Sequence, residues 1–215
     1  MSCFDRPIVM LDFETTGLSP AMGDRITEVA ALRIVGGRVT ERYVSLINCN
    51  ARIPSFITSL TGITQAMVDN APPVRKVVPE LLDFIGSDTL SAHNASFDEK
   101  FLRAEAGRLD LAPAHRALVC SLKLSRRLFP GMPSYKLGML SRQLGIRFRS
   151  AAHRAESDAE VGAELLNHIG RHLSGRYGMD QVEPELLVSV NKLSAAKVPA
   201  FLDKYVRSKK SATPD

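Results

Sequence analysis

The chain alternates between two periods. An apolar run from Ile8 to Leu11 continues into Asp12, Phe13 and Glu14 and stops at Thr15-Thr16-Gly17. A short apolar run bounded by a turn signal reads as a buried strand, here residues 7–13. Asp24 to Val35 and Val39 to Ile47 alternate around Gly36-Gly37 and predict a β-hairpin. Short helices are expected over Ser55–Leu60 and Thr64–Asp69, with Thr64 as an N-cap. Val74, Val77, Val78, Leu81, Leu82 and Ile85 keep helical spacing up to Gly86. Thr89–His93 predicts a strand, followed by a helix with Phe97, Phe101, Leu102 and Ala106 on one side. Arg116–Leu122 predicts another strand and Leu122–Phe129 a helix stopped by Pro130-Gly131. Ser134 is expected to cap a helix carrying Leu137, Leu140 and Leu144. After a polar segment, Phe148–Ser157, a helix over Glu156–Leu173 turns Val161, Leu165, Leu166, Ile169 and Leu173 inward. From Ser174 the pattern weakens. Residues 1–173 read as one domain and 174–215 as a C-terminal extension, with a linker, short helices over Glu183–Leu193 and Pro199–Arg207, and a frayed basic end.

On a strand, residues i and i+2 share a face, so Asp12 and Glu14 project side by side from the strand's carboxyl end. Two close carboxylates repel, and a divalent cation removes the repulsion. Asp98 falls in the first turn of its helix, where an acid is favoured by the helix dipole alone. It also follows a strand's carboxyl end, where α/β sheets assemble sites. Asp158 reads equally as a helix-start acid, and His153 as a loop residue.

At 215 residues the chain accommodates one domain and an appendage. No apolar run is long enough for a membrane span, and Asp5 and Arg6 interrupt any signal-peptide core. Cys3, Cys49 and Cys120 lack metal-binding spacing and suit free thiols in a reducing cytoplasm. The net charge of +5 is unevenly placed: residues 103–154 hold eleven Lys or Arg against two acids, whereas residues 1–102 and 155–170 hold nine against sixteen. A basic block on an acidic body suggests a polyanion surface beside a cation site, or simply solvated helix faces.

Three segments taken together change the picture: Asp-Phe-Glu-Thr-Thr-Gly at 12–17, His-Asn-Ala-Ser-Phe-Asp at 93–98 and His-Arg-Ala-Glu-Ser-Asp-Ala at 153–159. In content, order and separation they resemble the three motifs of the DEDDh family of 3′–5′ exonucleases, over about residues 5–170. Leu122 to Gly131, Lys136-Leu137 and Leu144-Gly145-Ile146 are similar to the branch that includes the proofreading epsilon subunit of bacterial DNA polymerase III. The resemblance implies an RNase H-like three-layer α/β fold with a five-stranded mixed sheet flanked by helices. It implies that Asp12, Glu14, Asp98 and Asp158 hold two divalent cations, Mg²⁺ or Mn²⁺, with His153 as general base. It also implies substrate contacts at Thr15, Thr16, Gly17, Thr61, Ile63 and Asn94, with Thr61 standing where many relatives carry a histidine. The expected substrate is a single-stranded or frayed 3′ end, in proofreading or repair, with a polymerase subunit as a possible partner. The residues leave DNA and RNA equally open, and a catalytically dead strand-binding module is the non-enzymatic alternative.

Overall fold

The computed structural model describes residues 4–146 and 153–211. Five strands, β1 (Ile8–Thr15), β2 (Ile26–Val35), β3 (Arg38–Leu46), β4 (Thr89–Ala92) and β5 (Leu118–Cys120), form one sheet in the order β3-β2-β1-β4-β5. β1, β2 and β3 pair antiparallel, while β4 and β5 run parallel to β1. The helices are α1 (Ser55–Thr61), α2 (Gln65–Asp69), α3 (Val74–Ile85), α4 (Ala95–Gly107), α5 (Ser121–Leu128), α6 (Leu137–Gln143), α7 (Ala155–Tyr177), α8 (Pro184–Lys192) and α9 (Val198–Ser211). The mixed sheet, flanked by helices on both faces, is the expected α/β architecture.

The strand period sorts the core into two layers. Ile8 and Met10 of β1 pack with Ala159, Ala163, Leu166 and Ile169 of α7. Val9, Leu11 and Phe13, one residue out of phase, pack with Val77, Leu81 and Ile85 of α3 and with Phe101 and Leu102 of α4. Asp12 and Glu14 continue the Ile8–Met10 side, so the alternation aims both acids at α7.

α7 lies unusually close to β1 because Gly162 has no side chain. A Cβ there would sit 3.0 Å from Met10 Sδ and 3.4 Å from its Cγ. Gly162→Val is expected to push the helix outward, destabilising the fold by about 1–3 kcal/mol, the usual range for overpacking. Thermal denaturation reads this as a lowered Tm.

The C-terminal third differs most from expectation. Instead of a linker from Ser174, α7 runs to Tyr177 and ends at Gly178, whose φ of 65° is the left-handed cap that glycine favours. Leu186, Leu187 and Val190 of α8 and Val198 and Leu202 of α9 belong to the same buried cluster as α7 and β1. Asn191 donates from Nδ2 to the Cys120 carbonyl (3.1 Å) and accepts from Cys120 N–H (2.7 Å), completing the outer edge of β5. Arg127 Nε donates to Leu193 O, and Phe4 makes an isolated bridge with Val182. The basic end, expected to fray from Arg207, is helical to Ser211. The strand expected over Arg116–Leu122 is confined to three residues because α5 starts at Ser121. α6 begins at Leu137, and Ser134 accepts from Lys136 N–H ahead of it. Part of the polar run at 148–157 lies outside the described residues.

Candidate active site

Asp12, Glu14 and Asp158 converge. One ligand-capable oxygen from each lies within 4.8 Å of the others, and each side chain is partly exposed. The period of β1 supplies two of these acids, and the first turn of α7 the third. Asp158 also accepts the backbone N–H of His153 (3.2 Å), closing a short loop over the helix start. His153 is exposed and holds φ at 64°, a conformation non-glycine residues adopt at a cost. Asp98 is 4 % exposed and approaches from the start of α4. It stands outside the three-oxygen group but close enough that, after burial, its charge is the largest influence on Asp12.

Burial, reinforced by Asp98, Asp158, Glu14 and Glu28, holds the Asp12 carboxyl well above the usual range. Burial first, then Asp158 and Glu28, pushes Glu14 up to about 7, with Arg154 opposing. Burial lifts Asp98 to about 8, against stabilising backbone N–H groups of Asp98 and Phe13. Burial also raises Asp158, with His153 opposing. Carboxylates that hold protons this strongly form a donor set suited to a hard divalent cation, which replaces the protons.

The sign of the pH dependence follows. Unfolded, these carboxyls release their protons near pH 4, by the usual reference values of about 3.9–4.3. Folded, Glu14 and Asp98 keep theirs to about 7 and about 8. In between, the folded state binds more protons, so stability falls as pH rises. Glu14 alone contributes on the order of 2–3 kcal/mol to this loss. In chelator, Tm is expected to drop between pH 5 and pH 8. In Mn²⁺ the slope should flatten or reverse, because the cation binds the deprotonated acids. A calorimetric Tm independent of both pH and metal would refute this account.

The turn after β1 is held from within. Thr15 Oγ1 donates to Gly17 O (2.6 Å), Thr16 Oγ1 donates to Asp24 Oδ1 (3.3 Å) and accepts from Arg25 N–H (2.9 Å), and Ser19 N–H donates to Asp24 Oδ2 (2.9 Å). Both threonines are buried. Their hydroxyls therefore shape the turn instead of standing free for a nucleotide. Gly17 is dictated by Asp24, since a Cβ at 17 would collide with that carboxylate. Asn94 is exposed at the start of α4 with φ 79°.

Thr61 and Ile63 depart from expectation. Thr61 is 5 % exposed, its hydroxyl donating to Ile57 O and accepting from Ile63 N–H. Ile63 is fully buried with Cys49, Ile53, Ile57 and Val68 in a small core of its own, so it cannot wedge against a base. Apolar side chains left in solvent include Leu18, Met22, Phe56 and Leu60. Phe97, by contrast, packs on Phe101 as anticipated, ring centroids 5.0 Å apart. Several cations of the basic block are also engaged internally: Arg103 with Glu99, Arg108 with Glu105, Arg154 with Glu28, and Arg127 with backbone carbonyls.

Sequence reasoning missed Asp24. It also gave no role to His93, which bridges Ser121 Oγ (3.0 Å) and the Tyr135 carbonyl (2.9 Å) and fastens the β4–α4 turn to α5. Partners five to forty-two residues away leave little local signal; for Asp24, the only clue was a small acid flanking a glycine-containing turn.

Comparison with known proteins agrees with this geometry. The RNase_T family model, described as Exonuclease, matches residues 9–166. A 3′-5′ exonuclease DinG of Bacillus subtilis is 41% identical over 153 residues, covering 71% of this chain but 16% of that protein. The chain likewise spans only 27% and 11% of the next two curated relatives. The DNA polymerase III subunit epsilon of Aquifex aeolicus is 33% identical over 175 residues, covering 81% of this chain and 86% of that protein. Among solved structures, exonuclease X in complex with 5′ overhanging duplex DNA aligns with TM-score 0.67 and 26% identity, over 86% of this chain and 99% of that one. The match over residues 9–166 and the Aquifex relative place the chain in the exonuclease family.

Proposed function

We propose that the chain is a metal-dependent 3′–5′ exonuclease that releases nucleoside monophosphates from the 3′ end of DNA. The observation carrying this reading is the convergence of Asp12, Glu14 and Asp158 beside the exposed His153. In this proposal Asp12, Glu14, Asp98 and Asp158 hold two divalent cations, Mg²⁺ or Mn²⁺. Bound there, such ions acidify an attacking water and neutralise charge on the leaving 3′-oxygen. His153, whose ring is exposed, takes the water's proton. The internally braced turn of Thr15, Thr16 and Gly17 gives the terminal nucleotide a fixed backbone edge, and Asn94, exposed at the start of α4, is a further contact. Leu18, exposed at the tip of that turn, offers an apolar contact to the terminal base. An unpaired end reaches the recessed acids more easily than a paired one, which favours single-stranded or frayed 3′ ends. Similarity to an epsilon subunit supports proofreading or repair beside a polymerase subunit. The buried free thiols Cys49 and Cys120 accord with the cytoplasm.

The test is a time course on matched 5′-labelled DNA and RNA strands with Mg²⁺, Mn²⁺ or chelator. A ladder shortening one nucleotide at a time on DNA, abolished by chelator, is expected. Preference for RNA would move the assignment to RNA trimming, and metal-independent strand binding without product would overturn it.

A further inference from the structure

Glu28 is 3 % exposed and lies directly opposite Glu14 in the β1–β2 ladder. A buried carboxylate requires donors, and this one finds them on the two residues that follow His153. Arg154 donates from Nε to Oε2 (3.0 Å) and from Nη2 to Oε1, and Ala155 N–H donates to Oε2 (3.0 Å). Arg154 is the N-cap residue of α7 and makes no side-chain cap itself. Glu28, reaching across from β2, therefore caps the helix in its place. On the other side, His153 N–H is tied to Asp158, and His153 holds its left-handed backbone. Such a conformation persists where the surroundings over-determine it.

We propose that Glu28 and Arg154 form a clamp that positions His153 and Asp158 for the reaction. They are positioning residues: the forked guanidinium locks the residue next to His153 onto the strand beside the acids, so the imidazole and the Asp158 carboxylate are presented from a fixed backbone. The proposal rests on the exonuclease reading above.

The test is a double-mutant cycle with an activity-independent readout. Arg154→Met is expected to lower kcat on 5′-labelled DNA by about 10²-fold, as for a misplacement of about 1 Å, with KM little changed. In a His153→Ala background the same substitution should cost clearly less than in the wild type, because one of the two groups it positions is gone. A full, multiplicative loss in that background would show a merely structural role and overturn the proposal. In the metal-free protein, amide exchange at His153 should accelerate at least about tenfold in Arg154→Met, as a loosened local structure exchanges faster. Unchanged exchange overturns the clamp whatever the activity. A wild-type chain inert on every strand, but with the accelerated exchange in the variant, would support the clamp and sink the nuclease reading. Should Arg154→Met not fold, Glu28→Gln, which keeps the side chain's shape, takes its place in the same cycle.

Discussion

Asp12→Asn is expected to abolish nucleotide release while making the metal-free protein more stable at neutral pH. Asp12 sits where burial and the charges of Asp98, Asp158, Glu14 and Glu28 all oppose its ionisation. Asparagine keeps the shape and removes the charge, so the repulsion is relieved. The same change removes a cation ligand, and the loss of rate should exceed the 10²–10⁴-fold of a missing general base, on the order of 10⁴-fold or more. Stability and function then move in opposite directions, as at sites where strain is kept for activity. Calorimetry in chelator and a single-turnover assay in Mn²⁺ measure the two halves. A variant that is both active and no more stable would remove Asp12 from the centre of the site.

His153→Ala is expected to lower kcat by about 10²–10⁴-fold, the usual range for general-base assistance. Tm should change little, because the ring is exposed and the observed bond to Asp158 is made by the backbone N–H, which alanine retains. Affinity for Mn²⁺ should hold, since the acids are untouched. This separates His153 from Asp158, whose removal should weaken metal binding together with rate. Unchanged turnover at saturating metal would take the base role away from His153.

The acids of β1 were legible because strand alternation is a local rule: once Ile8 and Met10 face one layer, Asp12 and Glu14 must follow. The hairpin, α3 and the motif around Asp98 were legible for the same local reasons. What could not be read depends on register and distant packing. Glu28 meets Arg154 across 126 residues, and only the pairing of Glu14 with Glu28 brings that contact to the acids. Ile63 is an apolar residue beside a glycine, which suits a substrate wedge as well as a core; the cluster of Cys49, Ile53, Ile57 and Val68 decides for the core. Thr15 and Thr16 carry hydroxyls suited to a ligand, yet Gly17 and Asp24 engage them first. The segment after Ser174 read as an appendage because Gly175, Gly178 and Pro184 punctuate its apolar residues like a linker. Their partners lie on α7 and β1, beyond the reach of any window along the chain.

The paired bonds between Asn191 and Cys120 have a wider consequence. A sheet with a bare margin invites an extended segment of another molecule to add itself, the route to both strand-exchange complexes and fibrils. Here one amide side chain occupies backbone groups at the β5 margin, and the opposite margin, β3, displays Arg38, Glu41 and Arg42 to solvent. With one flank plugged and the other charged, neither side of the sheet welcomes a foreign strand, so a companion protein would meet this molecule through its helices or loops.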